Sequence, residues 1–473
     1  MAPALHRTGA VRRAVAALAC GLGFTCATAA RAQDTPAVPE FVSARGPLDP
    51  YQLARKHEGT YPTGLPLVDT DPDMGYGFGA QGFVYWDGER TDPLFAYAPY
   101  RHRLSVQVFW TTNGYQQHKI DYDAPYLFGS AFRLRAQVYY EKNTAENYFG
   151  RGSSTLNDLG YTAAGGRTYS DFGDYTSALR QIRPGNVAYT LYNKYSLEDP
   201  TLATTVERSL AGGLVRLQLG FGGQYVSVKD YTGTTTQGDD PATGATGVAA
   251  TMGNTRLHED CKAARVVGCS GGMHDTIKLG VAFDTRDYEP DPNFGIFADL
   301  TEELSSRAIG SDYDYARVTF SPRAFYSPMP KLADLVIAGR AIYSVQTDGV
   351  PFFAMNTLAF TDGDRQGLGG LWTLRGYKQD RFVGLVSAMA NVEVRWTFVT
   401  FPRFWGQDFG LQLAPFLDMG RVFDRVSDFT FAGWKRGEGA GLHVLWNKAT
   451  VIMFEYGVSS EDQGLYMDFG QQF

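Results

Sequence analysis

Arg375 lies in "LGGLWTLRGYKQDRFVG", residues 368–384, between Leu374 and Gly376. The run is too glycine-rich for an ordinary strand and too apolar for an ordinary linker. A guanidinium held in such a run can clamp a carboxylate through two parallel hydrogen bonds. Glycines let its main chain pass close to a wall. Other sets with chemical potential are weaker. Gly77, Gly79 and Gly82 spell G-x-G-x-x-G, but no helix follows and the flanks alternate, so strand glycines facing a crowded interior are expected rather than a dinucleotide site. Asp69, Asp71 and Asp73 hint at a calcium loop. Pro72 interrupts it, the glycine is displaced to Gly75, and Ala80 stands where glutamate is required. No H-E-x-x-H, G-x-S-x-G or P-loop occurs, and the 7 histidines are scattered. The expectation is no catalytic residue, no metal site, no cofactor and no enzyme.

The elements that must position Arg375 come next. Residues 1–32 read as a secretory signal peptide: a basic start (His6, Arg7, Arg12, Arg13), a short apolar run, then Ala30-Arg31-Ala32 before Gln33. A retained helix is disfavoured by the short run, and a lipoprotein signal at Cys20 by the few apolar residues before it. Cleavage also removes Cys26, leaving Cys261 and Cys269. In an oxidising compartment a close pair reads as a disulfide; a metal reading lacks accompanying histidines. The formal charge of -7 argues against a nucleic-acid partner.

No run of 18 apolar residues exists, yet a membrane is not excluded, because transmembrane strands show apolar character only at every second residue. That period recurs. Leu104, Val106, Val108 and Trp110 alternate with Arg103, Ser105, Gln107 and Phe109; Val386 to Phe398 repeats the pattern. Short turns alternate with long polar loops such as 229–272. The fold class predicted is all-β: a transmembrane antiparallel β-barrel of sixteen strands, with an extracellular loop that a family resemblance places in the lumen. The strands expected are 65–72, 75–87, 102–113, 115–126, 130–144, 174–197, 213–229, 274–287, 293–306, 312–326, 333–346, 384–399, 408–424, 436–446, 449–458 and 463–473. Residues 33–64 read as a short periplasmic segment and 65–473 as the barrel. The last strand places Leu465, Met467, Phe469 and Phe473 on one face.

These segments carry a resemblance. Gly369-Gly370 leading to Leu374-Arg375-Gly376-Tyr377 resembles the lumen loop of the BamA/TamA-like family of outer-membrane proteins, the bacterial surface antigen family. "NVEVR" (391–395), "PFLDMGRVFD" with Phe416, Asp418 and Gly420, and "GEGAGLHVLW" resemble the strands that follow in that family, although His443 stands where an arginine is common. "LPLVDTDPDMGYGFGAQG", "ENYFGRGS" and "FDTRDYEPDPNFG" resemble its opening strands, an earlier loop and a mid-barrel turn. The resemblance covers about 65–473. It implies that Arg375 enters the barrel and pairs with an inner-wall acid. Parity puts Gln412, Asp418 and Gly420 inward and Leu411, Leu413, Leu417 and Met419 outward; Glu393 is inward by the same test. Asp418 is the first acceptor expected and Glu393 the second. Phe469 and Phe473 resemble the terminal signal read by the outer-membrane assembly machinery.

The resemblance implies the outer membrane of a Gram-negative bacterium, with lipids and that machinery as partners. Family members that insert or export proteins carry POTRA domains of about 75–80 residues, and the 33–64 segment holds none. Two functions stay open: a barrel assisting translocation or insertion of proteins or lipids, with a separate periplasmic partner or client, and a passive channel or structural surface protein in which the loop only stabilises the barrel.

Overall fold

The computed structural model describes residues 38–48, 53, 56–71, 75–287, 289, 291–330, 333–404, 407–446, 450–471 and 473. The expected signal peptide and Asp73 lie outside these residues, as do the side chains of Asp69, Asp71 and Phe469. The barrel strands are β1 (Gly59–Asp71), β2 (Gly75–Gly88), β3 (His102–Thr111), β4 (Gln116–Ala124), β5 (Phe132–Asn147), β6 (Lys194–Leu210), β7 (Val215–Asp230) and β8 (Gly272–Asp284). They continue as β9 (Gly295–Ser305), β10 (Tyr315–Tyr326), β11 (Asp334–Gln346), β12 (Val386–Phe404), β13 (Gln407–Phe423), β14 (Lys435–Trp446), β15 (Thr450–Ser459) and β16 (Gln463–Phe469). All 16 lie in one antiparallel sheet, each paired with its neighbour in sequence. Among the described residues no helix is long and apolar enough to cross a membrane.

Period two sorts the side chains. Along β12, Val392, Trp396 and Phe398 point out and are exposed, while Asn391, Glu393 and Arg395 point in and are buried. Exposed aromatics and aliphatics on the outer face and buried charges on the inner face invert the pattern of a water-soluble barrel. The connections after β5, β7 and β11 are long and lie on one side, the extracellular one. Both described ends of the sheet lie on the other.

Three boundaries differ from expectation. The first strand begins at Gly59, so residues 59–64 join the sheet. The expected strand 174–197 is not one. Phe172–Arg180 is a helix, N-capped by Asp171, whose side chain accepts from Asp174 N, and it buries Tyr175, Ala178 and Leu179 at helical spacing. The sixth barrel strand runs instead over Lys194–Leu210, where Ser196, Glu198 and Pro200 on the outer face hide the alternation. The loop expected to be unstructured over 229–272 holds two paired strands, Thr235–Gly238 and Val248–Met252, and the helix Arg256–Lys262. Cys261 and Cys269 are disulfide-bonded there. These loops bury tyrosines and apolar side chains together, including Tyr161, Tyr169, Tyr175 and Tyr192.

The last strand also ends early. Gly470 takes a φ of 108°, and the chain turns inward. Phe473 therefore does not share the outer face of Leu465 and Met467. It is buried against Phe325, Val336 and Ala338 on the inner wall, with Arg340 and Arg395 over its ring at 4.8 and 5.2 Å from the centroid. Desolvated cations on an aromatic face stabilise this position. At the opposite end of the sequence, Val42 packs with Leu94, Ala98 and Tyr126, and Arg45 Nη2 reaches Asp284 Oδ2 at 2.9 Å, so residues 38–45 are held against the periplasmic turns. Gly77 and Gly79 lie under the Phe109 ring, which a Cβ at either position would strike.

Candidate functional site in the barrel lumen

The loop 347–385 leaves β11 and returns as β12. Its tip is built by local hydrogen bonds. Phe382 N donates to Leu368 O at 3.0 Å, and Gly370 N to Tyr377 O at 3.0 Å. The Thr373 hydroxyl accepts from Gly369 N and sits within hydrogen-bonding distance of Gly367 O. Leu368, Leu374, Tyr377 and Phe382 are buried with Ile342, Met389 and Val422 of the wall. An apolar underside thus seats the tip, and Arg375 faces the strands.

Arg375 is fully buried. Its Nε and Nη2 donate to Asp418 Oδ2 and Oδ1 at 2.7 and 2.8 Å, a bidentate pair, and its main-chain N donates to Asp418 Oδ2 at 3.1 Å. Nη1 donates to Glu393 Oε1 at 2.9 Å and Glu455 Oε2 at 2.7 Å. The guanidinium lies flat over Phe416, 3.3 Å from the ring centroid. The structure therefore brings Arg375 onto Asp418, Glu393 and Phe416. Burial by itself lowers the Arg375 pKa, but the charge of Asp418 and its hydrogen bonds, then Glu393 and Glu455, hold it above the ordinary arginine value. The group is a permanent cation.

A further ring of partners fixes the acids. Arg395 Nε donates to Glu393 Oε2 at 2.9 Å. Asn391 Nδ2 donates to Asp418 Oδ1 at 2.7 Å and to Thr373 O at 2.8 Å. Arg340 Nη2 donates to Trp372 O at 2.7 Å. His443, in the place where an arginine was expected, bridges Glu455 Oε1 at 3.0 Å and Gln412 Oε1 at 3.1 Å. Arg340, Arg375 and Arg395 thus face Asp418, Glu393 and Glu455, charge against charge. Dense pairing of opposite charges is what makes such a buried network tolerable, although Arg395 Nη1 is buried without a hydrogen-bond partner among the described residues.

Glycines admit the loop. Gly376 has φ 91°, and a Cβ there would lie 2.5 Å from Val458 C; a Cβ on Gly437 of the wall would lie 1.9 Å from Arg375 O. The main chain of the tip therefore touches the main chain of β14 and β15.

Sequence reasoning missed Glu455, Asn391 and Arg381. Glu455 was available from parity, since Val451, Met453, Glu455 and Gly457 share the inner face of β15. Arg381 had no such signal. It donates from Nε and Nη2 to both oxygens of Glu461 at 2.6 and 2.8 Å, and from Nη1 to Thr155 O at 2.5 Å. It ties the loop to the last hairpin and to the connection 148–193. Tyr377 OH meets Ser460 Oγ at 3.2 Å.

Asp380, beside it, has the left-handed φ of 56° and is buried. Its carboxyl acts electrostatically on that of Glu146 at the end of β5, and neither of its own oxygens has a hydrogen-bond partner among the described residues. Burial pushes the Asp380 carboxyl up to about 7, although Asn356, Glu146 and Gln379 act to lower it.

A sixteen-strand barrel with an apolar exterior, a charged interior and a loop locked inside it defines the outer-membrane β-barrel class. Residues 102–473 match the Omp85 superfamily domain, and the chain belongs to that superfamily. Residues 39–101 match the Domain of unknown function DUF5982. The chain is similar to an outer membrane protein assembly factor BamA of Nitratidesulfovibrio vulgaris, 26% identical over 214 residues, which is 42% of this chain and 25% of that protein. The match thus spans about a quarter of that relative's length. Among solved structures, BamA from Haemophilus ducreyi lacking POTRA domains 1–3 has a TM-score of 0.47 at 12% identity, covering 88% of this chain and 70% of that one. CdiB from Escherichia coli has a TM-score of 0.49 at 10% identity, covering 87% and 62%.

Proposed function

We propose that this protein is a non-enzymatic barrel that assists the insertion or translocation of proteins, or of lipids, at the outer membrane of a Gram-negative bacterium. A separate periplasmic partner or a client protein completes the system. The observation that carries the reading is the lumen loop itself. A tip held by one arginine on three carboxylates of β12, β13 and β15 braces the very strands that lead to the end of the sheet. Such a brace sets how firmly those strands hold together, which is the property an insertion or translocation barrel must control. Membership of the Omp85 superfamily and similarity to an assembly factor add support.

The test is deletion of residues 368–382, read in cells and in planar bilayers. A defect in the assembly or export of a particular client supports the reading. A large steady conductance with no defect in any client overturns it and leaves the passive, structural role.

A further inference from the structure

The connection 424–434 does not stand up from the rim. It folds back onto the outside of the barrel. Tyr343, Ala388 and Arg421 form one row across β11, β12 and β13, and Val386 pairs with Phe423 in the row above. All five have the parity of the outer face, since Ile342 and Val422, the neighbours of opposite parity, pack inside with the lumen loop. Outward residues elsewhere in this barrel are exposed, yet Val386, Ala388 and Phe423 are 1%, 3% and 2% exposed. The hairpin covers them. Phe429 lies 5.3 Å from Phe423 and 6.1 Å from Tyr343, ring to ring, and Trp434 joins the same cluster. Trp434 Nε1 donates to Thr430 O at 2.8 Å, and Arg421 Nη1 donates to Ala432 O, so the fold-back is fastened by hydrogen bonds.

The hairpin shows its surroundings an apolar tip, with the exposed Asp424, Arg425, Ser427 and Asp428 nearer its start. Phe431 is 84% exposed and stacks on Trp434; Val426 is 55% exposed. A bare phenylalanine on a fastened hairpin is costly in water. Its height identifies the occupant. From Ala388 down β12 to Phe398 the outer face runs Ala390, Val392, Val394, Trp396 and Phe398. That is a span of ten residues, and at about 3.3 Å each with a barrel tilt of about 40° it covers about 25 Å, the height of a lipid-facing apolar band. The hairpin therefore sits at the outer edge of that band and is continuous with it. Aromatic side chains with a polar handle are the residues that settle there.

We propose that residues 424–434 form a flap seated in the outer leaflet, with Phe429, Phe431 and Trp434 in contact with lipid. Nitroxide labels at Phe431→Cys and Val426→Cys test it, with the native disulfide left closed. The purified full chain is reconstituted in vesicles of phosphatidylethanolamine and phosphatidylglycerol, and relaxation by oxygen is compared with relaxation by a water-soluble nickel chelate. Labels at lipid-facing Leu413 and at loop residue Ala242 serve as references. The expected oxygen-to-nickel ratio at 431 is several-fold above that at 242 and close to that at 413. A ratio equal to that at 242 overturns the proposal. So does shielding from both relaxants, which would place a protein partner or a second copy on the flap.

Discussion

Arg375 and Asp380 are five residues apart on one loop, and both are buried ions at the wall, yet their surroundings are opposite. Around Arg375, the guanidinium makes four hydrogen bonds to three carboxylates. Around Asp380 the nearest ionisable group is another carboxyl, Glu146, with Glu141, Asp199 and the phenol of Tyr195 close by and Lys194 the cation acting on Glu146. The first arrangement needs its carboxylates ionised. The second is disfavoured when Asp380 ionises. One end of the tip is thus a lock made by ionisation and the other one weakened by it, and Arg381, between Asp380 and Phe382, supplies the latch that keeps the two ends in step.

The largest effect is expected at the lock. Arg375→Ala takes the shared guanidinium from three buried carboxylates, of which Glu393 keeps Arg395, and should cost about 3–5 kcal/mol, read as a lowered urea midpoint of the barrel in vesicles. The charge swap Arg375→Glu with Asp418→Arg should rescue little. It would place a new carboxylate against Glu393 and Glu455, so recovery of wild-type stability by the swap would refute the three-acid description. Next comes Arg381→Ala. It removes a bidentate pair and a carbonyl contact, should cost about 2–3 kcal/mol, and should expose the 368–382 tip to protease before the barrel unfolds. Opening the disulfide by Cys261→Ser with Cys269→Ser closes a short loop less tightly and should cost about 2–3 kcal/mol at most. That loss should be confined to the extracellular connection, visible by protease cleavage there with the barrel midpoint unchanged.

The effect expected at Asp380 is one of pH. Its folded pKa is raised to about 7 from an ordinary value near 4. The native state then holds more protons than the unfolded chain across that window. Stability from this group is full below pH 4, falls as pH rises through 7, and is flat above. Asp380→Asn should erase that slope and stabilise docking of the tip at pH 8, measured as slower proteolysis of the loop. An unchanged pH profile in this variant would break the contrast between the two ends.

Most of the lock was legible because strand parity is a strict two-residue rule. Once β12 and β13 are placed, Glu393 and Asp418 can face only inward, and the glycine run containing Arg375 has nowhere else to put a cation. The same rule covered Glu455 but was not followed as far as β15. Asn391 was inward by parity too, but an amide advertises no charge. Arg381 and Glu461 were not legible, since both lie in connections where no period applies. The helix Phe172–Arg180 was hidden because Phe172, Tyr175 and Thr176 suit a strand as well, and only the cap at Asp171 and tertiary burial settle it.

Sequence alone determined the sixteen-strand barrel, the loop that enters it and the residue types that meet there, because alternation and charge are local properties written residue by residue. Tertiary structure alone decided that Glu455 joins Asp418 and Glu393 around Arg375, that Phe473 turns inward onto two arginines, and that residues 424–434 lie down along the outer wall. Each of those depends on which surfaces distant segments present to one another, and on the cost of leaving a buried charge or a bare aromatic without a partner.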